Sequence, residues 1–534
     1  MAQLLYNRGL TEPSRLEAFL TADERLVGDP FLLPDMQQAV TRVYRALLSG
    51  ETIAVYGDFD TDGITATALL VQGLSSLGGY VIPYIPGRVG EGHGLKARVL
   101  ERLQGEGVSL VISVDCGITG LDAVRKARRK GLDIIVTDHH APPDEIPPAV
   151  AVVDPKLPGS EFPFTELAGV GVAYKLLQAL LRSLGREQLL DGVMDLVALG
   201  TVADMVPLVS ENRYLVKEGL KRLNTAPRLG IREMMSQSSL IEGNIASENI
   251  SWVIAPRLNT ASRMDHALPS YELLMTDSRE KAQELVAWLE KKNTERQQLT
   301  RKAVEEAREQ VFAQGVLPLL MVSDERYPAG IAGLVAGRLT EEFYRPAVVV
   351  GVGKRTCSGS CRSIPEFNII EALNHCGDIF SQFGGHAQAA GFVIPTRNLP
   401  LLRERLLEIA AQQLAGVDLR PRLDIDAEIT LPALTGDTYE SIRQLEPFGQ
   451  GNPLPTFLSR RVEVVDSRTM GNNGDHIRLK VRQDGSLWDA VGFGMGSEQP
   501  AVNDVIDIVH NLEVDHWGGQ ATLRLNMLDF APSD

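Results

Sequence analysis

Cysteine is scarce in this sequence, which excludes a fold held together by a network of disulfides. Four cysteines among 534 residues are too few for such a network, and the scarcity is typical of a reducing compartment, so we expect a cytoplasmic protein. Cys357, Cys361, His375 and Cys376 fit no standard zinc spacing. We therefore expect these cysteines to be ordinary buried thiols.

Long apolar runs and an excess of basic residues are also absent. No run approaches the length of a membrane span, and the first residues lack the basic start and apolar core of a signal peptide, so we expect no membrane association. The net charge of -16 argues against a protein that wraps nucleic acid around its surface. A narrow channel with local basic residues remains compatible with this charge.

Four apolar runs that read as buried parallel strands each end on acidic residues. The first run, Ile53 to Tyr56, leads into three carboxylates at alternate positions, and a helical pattern begins directly after Gly63. The carboxyl ends of parallel strands meet at one edge of a sheet, so we expect the acids to converge there. A later apolar helix adds Asp204. The acids that follow the strands are Asp58, Asp60, Asp62, Asp115, Asp138 and Asp154.

This concentration of carboxylates predicts a divalent metal centre. Acids so close together repel one another unless a cation joins them, and oxygen ligands with one or two imidazoles suit Mn²⁺ or Mg²⁺. An aspartate between two others could bridge two ions, a pair suited to phosphodiester hydrolysis. The alternative is a solvated acidic turn that caps the next helix. The predicted set is Asp60, Asp62, Asp115, His139, His140 and Asp204, with Asp58 as a further candidate.

Three further segments have the composition of phosphate-binding loops. Arg88 lies in a glycine-rich loop, and Gly359-Ser360-Cys361-Arg362-Ser363 offers a hydroxyl, backbone N–H groups and a guanidinium. Gly384-Gly385-His386 allows a ligand to approach the backbone beside an imidazole. Each loop alone is as compatible with a simple turn.

The order of strand and helix patterns predicts an α/β protein of two lobes with an added barrel. A long helical segment at 278–312 is predicted to connect the two lobes. The alternative for this segment is a coiled-coil dimer helix, which the polar interruption at 293–298 disfavours. The predicted parts are an N-terminal helical cap (1–48), a parallel-sheet lobe (49–277), a connecting helix (278–312), a smaller α/β lobe (313–416) and an antiparallel β-barrel (417–534).

Together these motifs resemble the DHH phosphoesterase superfamily, and within it the RecJ family. The first lobe carries the four superfamily motifs, and Gly384-Gly385-His386 resembles the signature of the associated second lobe. The segments 29–36, 255–261 and 445–453 resemble the RecJ family, so the resemblance covers nearly the whole chain. The four motifs are Gly57-Asp58-Phe59-Asp60-Thr61-Asp62-Gly63, Val114-Asp115-Cys116-Gly117-Ile118, Thr137-Asp138-His139-His140 and Gly200-Thr201-Val202-Ala203-Asp204.

The resemblance implies a DHH fold with an OB-like C-terminal barrel and a 5′-to-3′ exonuclease on single-stranded DNA, acting in DNA repair and recombination. Asp60 and Asp115 would hold one cation. Asp62, Asp115, His139 and Asp204 would hold the other, with Asp115 as the bridge. His140 would contact the scissile phosphate or assist the leaving group.

The resemblance also implies where DNA would bind. Candidate protein partners are a RecQ-type helicase and a single-strand-binding protein. The barrel would bind the strand, with Trp488, Phe493 and Trp517 as candidates for stacking. Cys361 and Ser262 replace glycines usual in the family, and we expect both side chains to lie close to the strand. The residues expected to contact phosphates are Arg88, Ser360 and Arg362 at the 5′ end, and Arg257 or Arg263, Gly384, Gly385 and His386 along the backbone.

Two other functions remain open on the sequence alone. One is a DHH phosphodiesterase that cleaves short oligonucleotides, cyclic dinucleotides or pyrophosphate, in which the barrel would have no obvious purpose. The other is a catalytically inactive DHH scaffold in a replication complex, against which the complete set of predicted ligands counts.

Overall fold

A computed structural model of the protein describes residues 1–88, 90–471, 473–515 and 522–533. Its first sheet is parallel throughout, in the order β2-β1-β3-β4-β5, as the alternation of strand and helix patterns predicted. The strands of this sheet are β1 (Thr52–Tyr56), β2 (Tyr80–Tyr84), β3 (Val108–Val114), β4 (Asp133–Thr137) and β5 (Ala151–Val153).

Helices cover both faces of the first sheet, because successive side chains of each strand point to opposite sides. Ile53 and Val55 face one apolar core, whereas Ala54 and Tyr56 face another. The helices up to the end of this lobe are α1 (Ala2–Asn7), α2 (Pro13–Thr21), α3 (Met36–Ser49), α4 (Thr61–Ser76), α5 (Ala97–Gly105), α6 (Leu121–Arg129), α7 (Gly169–Ser183), α8 (Met194–Ala203), α9 (Ser210–Thr225), α10 (Leu229–Gln237), α11 (Ser247–Asn249), α12 (Ala255–Met264) and α13 (Leu268–Met275).

The connecting helix and the second lobe also form as predicted. The helix α14 (Arg279–Gln314) runs for 36 residues, about 54 Å at 1.5 Å per residue, and leads into a mixed sheet in the order β6-β7-β8-β10-β9. The elements of this lobe are β6 (Leu320–Asp324), α15 (Ala329–Phe343), β7 (Ala347–Gly351), β8 (Thr356–Arg362), α16 (Ile369–Asn374), β9 (Gln382–His386), β10 (Ala389–Pro395) and α17 (Leu399–Gln413).

The C-terminal part is a barrel of five strands closed by pairing of its first strand with its fourth. The order is β12-β13-β14-β16-β15, with β15 returning to β12 and the short β11 added beside β12. The elements are β11 (Ala427–Glu428), α18 (Gly436–Arg443), β12 (Phe457–Met470), β13 (His476–Gln483), β14 (Ser486–Gly492), β15 (Val505–Asp515) and β16 (Thr522–Pro532).

The N-terminal helices divide between two cores. Leu4, Leu5 and Phe19, from α1 and α2, belong to the apolar core of the barrel, whereas α3 packs in the core of the first lobe. Residues 1–48 are therefore not a cap over the first lobe alone. The predicted domain limits otherwise stay a prediction.

A buried arginine ties the first lobe to the barrel. The guanidinium of Arg213 on α9 donates hydrogen bonds to the carbonyls of Phe19, Leu445 and Gln444, and it lies 3.9 Å from the ring centroid of Phe19. These bonds join three segments that are distant in sequence, so the position of the barrel is set by the first lobe. Within the described ranges, no helix has the length and apolarity needed to cross a membrane.

Candidate metal centre and nucleic-acid interface

The predicted acids converge at the carboxyl edge of the first sheet. Asp58, Asp60 and Asp62 follow β1, Asp115 follows β3, and His139 follows β4. Asp115 has a left-handed backbone (φ 57°), a conformation that aspartate tolerates better than most residues and that is typical of functional sites. Three groups of residues each place their potential metal-binding atoms within 4.8 Å of one another. The groups are Asp58-Asp60-Asp115, Asp62-His139-Asp204 and Asp115-His139-His140.

His139 lies at the centre of this cluster. Its Nε2 atom is 3.2 Å from an oxygen of Asp115, 3.7 Å from one of Asp204 and 4.0 Å from one of Asp62. The Nε2 atom of this buried side chain has no hydrogen-bond partner among the described residues. A buried polar atom without a partner is costly, so a ligand is expected to meet it. The imidazole is neutral, since burial and then the nearby charge of His140 lower the pKa of His139 to about 3.

The carboxylates of the cluster resist ionisation. Burial and then the charge of Asp60 raise the pKa of Asp62 to about 7. Burial, followed by the charge of Asp62, raises the pKa values of Asp115 and Asp204 well above the ordinary range. Divalent cations would relieve this repulsion and stabilise the ionised form.

The start of α7 holds Asp62 in place. The backbone N–H groups of Gly169 and Val170 donate to the two oxygens of Asp62 at 2.6 and 2.8 Å. A side chain at Gly169 would collide with Asp115, since an added Cβ would lie 2.5 Å from the Asp115 Cβ. Gly169 therefore allows two ligands from different strands to approach each other.

His140 lies beside Asp115 and His139 and is paired with Asp138. The Nδ1 atom of His140 lies 2.7 Å from an oxygen of Asp138, whose other oxygen accepts the N–H of Ile118. Burial alone would lower the pKa of His140, but the bond with Asp138 raises it to about 9. His140 is thus protonated at neutral pH, with its Nε2 free to face a substrate.

Arginines from four segments gather beside the acidic cluster. Burial, and then the charges of Arg88, Arg296 and Arg362, lower the pKa of Arg263 to about 9. Among the described residues, none of these four arginines has a carboxylate within salt-bridge distance. Cations gathered without acidic partners predict a polyanionic ligand. The negative charge of Asp60 acts on both Arg88 and Arg263, and this interaction links the arginines to the metal centre.

The predicted clamp residues Ser360 and Arg362 face the N-terminal part of α15. A Cβ added at Gly333 would lie 2.9 Å from the Ser360 hydroxyl and 3.2 Å from the Arg362 guanidinium. Gly333 thus leaves open the space in front of both groups. Arg263 reaches the same helix, since its Nη1 donates to the carbonyl of Gly330 at 3.2 Å.

The other predicted DNA contacts divide into two groups. His386 from the second lobe stacks with His140, at 6.1 Å between ring centroids, and the exposed Gly384 and Gly385 precede it on β9. Gly385 has a φ of 147°, which favours glycine, and a side chain there would also collide with β10. Arg257, in contrast, forms an ion pair with Glu290 at 2.7 Å, although its charge also acts on Arg296 of the arginine cluster.

Cys361 and Ser262 are both buried, and the expectation that they lie close to the strand stays a prediction. Residues alternate along β8, so Ser360 and Arg362 share one face while Cys361 points into the apolar core of the second lobe. Ser262 is 1% exposed and donates to the carbonyl of Asn259 within its own helix. All four cysteines are buried, as expected.

The aromatic candidates of the barrel differ in exposure. Phe493 is exposed and contacts His476 edge to face, whereas Trp488 packs against the barrel core. Trp517 lies outside the described residues.

Sequence reasoning missed several residues that complete the site. Asp138 appeared only as part of a motif, Arg296 as part of a helix, and the amides of Gly169 and Val170 not at all. The signal for the amides was a glycine-rich start of a strongly apolar helix without a side-chain cap, a common arrangement for binding a carboxylate.

Comparison with known proteins gives three successive family matches. The DHH family N-terminal domain matches residues 52–201, the DHHA1 domain matches residues 310–412, and the RecJ OB domain matches residues 425–529. The single-stranded-DNA-specific exonuclease RecJ of Bacillus subtilis is 38% identical over 100% of this chain and 68% of its own length. RecJ of Escherichia coli is 32% identical over 92% of this chain and 89% of its own.

Solved structures agree with these matches. The crystal structure of RecJ in complex with Mn²⁺ from Thermus thermophilus has a TM-score of 0.87 and 30% sequence identity. The match covers 100% of this chain and 76% of that chain. The predicted α/β fold of two lobes and an OB-like barrel is confirmed.

Replacing Gly169 with alanine should weaken cation binding. The new methyl group displaces Asp115, and we expect the affinity for Mn²⁺ in calorimetry to fall at least about tenfold, the order of effect seen when a metal ligand is mispositioned. Gly171→Ala, two residues further along the same helix, is the matched control because its Cβ would meet only Leu167 at 3.4 Å. Equal affinities for the two variants would contradict the packing argument.

The metal-free protein should become more stable when Asp204 is replaced with asparagine, and the gain should be largest at alkaline pH. A carboxyl with a raised pKa holds its proton longer in the folded state, so it destabilises the fold as pH rises through that window. In the presence of EDTA we expect the Tm of Asp204→Asn to exceed that of the wild type by about 2 °C or more at pH 8. The difference should shrink at pH 5, and a gain that is equal at both values would contradict the assignment.

Proposed function

Because the chain belongs to the RecJ family of single-stranded-DNA-specific exonucleases, we propose that it hydrolyses single-stranded DNA from the 5′ end and releases 5′-mononucleotides. The observation that carries this proposal is the cluster of arginines without acidic partners beside the carboxylate cluster. The arginine cluster suits a terminal phosphate, and the carboxylate cluster with its cations suits the next phosphodiester. A strand bound this way would be cut one nucleotide from its end.

The residues at the sheet edge fit two divalent cations, Mn²⁺ or Mg²⁺. The carboxylates repel one another, and the Nε2 atom of His139 and an oxygen of Asp58 are buried without a hydrogen-bond partner in the described part of the chain. We assign Asp60 and Asp115, with Asp58, to one cation, and Asp62, Asp115, His139 and Asp204 to the other. When bound, two such cations lower the pKa of the attacking water and stabilise negative charge on the phosphate oxygens.

We assign the proton needed by the leaving oxygen to His140. Asp138 keeps the imidazole protonated and fixes its tautomer, since the bond at Nδ1 leaves the second proton on Nε2. Transfer of that proton to the 3′ oxygen completes departure of the terminal nucleotide. His386 lies against His140 and would hold the phosphate from the side of the second lobe.

We assign the terminal 5′-phosphate to Arg88, Arg263, Ser360 and Arg362. Guanidinium groups bind phosphate with charge-assisted, bidentate hydrogen bonds, and loss of each such bond costs roughly 1.5–3 kcal/mol. Arg88 and Arg263 come from the first lobe, and Ser360 and Arg362 from the second. A 5′-phosphate would therefore bind both lobes at once.

The barrel would bind the strand beyond the cleft, and a RecQ-type helicase and a single-strand-binding protein stay predicted partners in the cytoplasm. A phosphodiesterase for dinucleotides has no use for this barrel, which matches the RecJ OB domain over residues 425–529.

The direct test is digestion of one single strand labelled at either end, beside a duplex and an RNA of the same sequence, with Mn²⁺ present. We expect labelled mononucleotide from the 5′ end of the single strand alone. Asp115→Ala should abolish this release while the far-UV circular dichroism stays unchanged. Cleavage of dinucleotides with survival of the long strand would contradict the proposal.

Replacing Asp138 with asparagine should move the alkaline limit of activity. Without the carboxylate, the pKa of His140 falls from about 9 toward the ordinary value of about 6.5. We therefore expect kcat to decline at a pH roughly two units lower than in the wild type. Asp154→Asn is the control, because Asp154 lies on the neighbouring strand end but does not bond His140. An unchanged pH profile in Asp138→Asn would contradict the proposed proton donor.

Replacing Gly333 with alanine should weaken the preference for a 5′-phosphate. The methyl group would occupy the space in front of Ser360 and Arg362, and the loss of one charge-assisted bond lowers kcat/KM about tenfold. We expect this loss on 5′-phosphorylated strands and a smaller one on 5′-hydroxyl strands. Gly337→Ala on the same helix is the matched control, since its Cβ meets nothing within 4 Å. An equal loss on both strands would argue against the clamp.

A further inference from the structure

One helical rod connects the 5′-phosphate clamp, the metal centre and the barrel. It runs from Ser247 to Met264, through α11, a π-helical turn at Ile250–Ile254 and α12. Near its C-terminal end, Arg263 belongs to the arginine cluster. Asn259 accepts the N–H of Thr61 at 2.9 Å, next to Asp60. At its start, the Ser247 hydroxyl donates to the carbonyl of Phe448, in the segment that leads to the barrel.

Trp252 lies on this rod between the metal centre and the barrel. Its side chain is 74% exposed, although Ile250 and Ile254 in the same turn are fully buried. Trp252 precedes Asn259 by seven residues, so along the rod it lies between Asn259 and Ser247. Turns of π-helix inside α-helices are frequent at functional sites.

A second exposed apolar residue comes from the neighbouring helix. Met205 is 71% exposed and directly follows the proposed ligand Asp204. Three residues later, the N–H of Leu208 donates to the carbonyl of Gln450 at 2.7 Å, in the same segment that Ser247 contacts. The π-helical turn packs against α8, which ends just before Asp204. Trp252 and Met205 therefore belong to two segments that meet the same junction with the barrel.

We propose that Trp252 is a platform on which an unpaired base of the single strand stacks after leaving the metal centre. This inference rests on the proposed exonuclease function. The order along the rod is terminal phosphate, scissile phosphate, Trp252 and barrel, which is the order in which a strand with its 5′ end in the clamp would meet them. Aromatic stacking tolerates any base, as an enzyme that digests strands of any sequence requires.

The platform is tested by comparing strands of different length. Trp252→Ala should lower kcat/KM on a long single strand by about 5- to 150-fold, the loss expected from one base–aromatic stack. Trp252→Phe should retain most of the activity. A 5′-phosphorylated dinucleotide ends before Trp252, so all variants should cleave it at the wild-type rate. Leu48→Ala is the control for loss of an exposed apolar side chain, since Leu48 is 71% exposed at the opposite edge of the sheet.

Strands with one abasic nucleotide locate the stacked base. In the wild type, one abasic position near the 5′ end should reduce initial binding as much as Trp252→Ala does. In Trp252→Ala the same abasic strand should show no further loss, because the two changes remove one interaction.

Other outcomes would overturn the platform. An equal loss on the dinucleotide would mean that Trp252 acts only through the fold. Normal digestion of every strand by Trp252→Ala would instead assign the exposed indole to a protein partner. Failure of the wild type to digest the long strand would overturn the exonuclease function itself, which separates the two proposals.

Discussion

Mutual repulsion of buried carboxylates at one edge of a parallel sheet is the constraint on which this protein depends. The sheet brings Asp60, Asp62 and Asp115 together because parallel strands end at the same edge. Burial strengthens their repulsion, since the low local dielectric screens charge poorly. The fold keeps the acids there with backbone amides at the start of α7 and with glycines that leave room between them. Bound cations would relieve the repulsion that remains among these carboxylates.

Repulsion between positive charges occurs beside the acidic cluster. Arg88, Arg263, Arg296 and Arg362 converge from both lobes and from the connecting helix, and among the described residues no acid forms a salt bridge with them. An anion at this point would offset their repulsion just as cations offset that of the acids. The phosphates of a nucleic acid meet both requirements at once. An overall charge of -16 is no obstacle to this arrangement, because these four arginines lie together beside the metal centre.

The parts of the site that follow from strand order could be predicted from the sequence. Apolar runs that end in Asp62, Asp115 and His139 specify a parallel sheet and its edge. The partnership of Asp138 with His140 could not be predicted, because it depends on rotamers at a strand end. The inward direction of Cys361 depends on the register of β8, which the sequence pattern leaves open. Contacts between distant segments, such as the packing of α15 on α12 that brings Arg263 near Arg362, arise only from the tertiary fold.

The most direct measurement of the central claim is anomalous diffraction from crystals of this protein soaked in Mn²⁺. The account predicts two peaks on either side of the Asp115 carboxylate, with the second peak also adjoining His139. It predicts that crystals of Asp115→Asn lose both peaks while the arrangement of the strands is retained. A single peak, or two peaks that persist in the variant, would contradict the claim that repulsion among these acids is relieved by a bridged pair of cations.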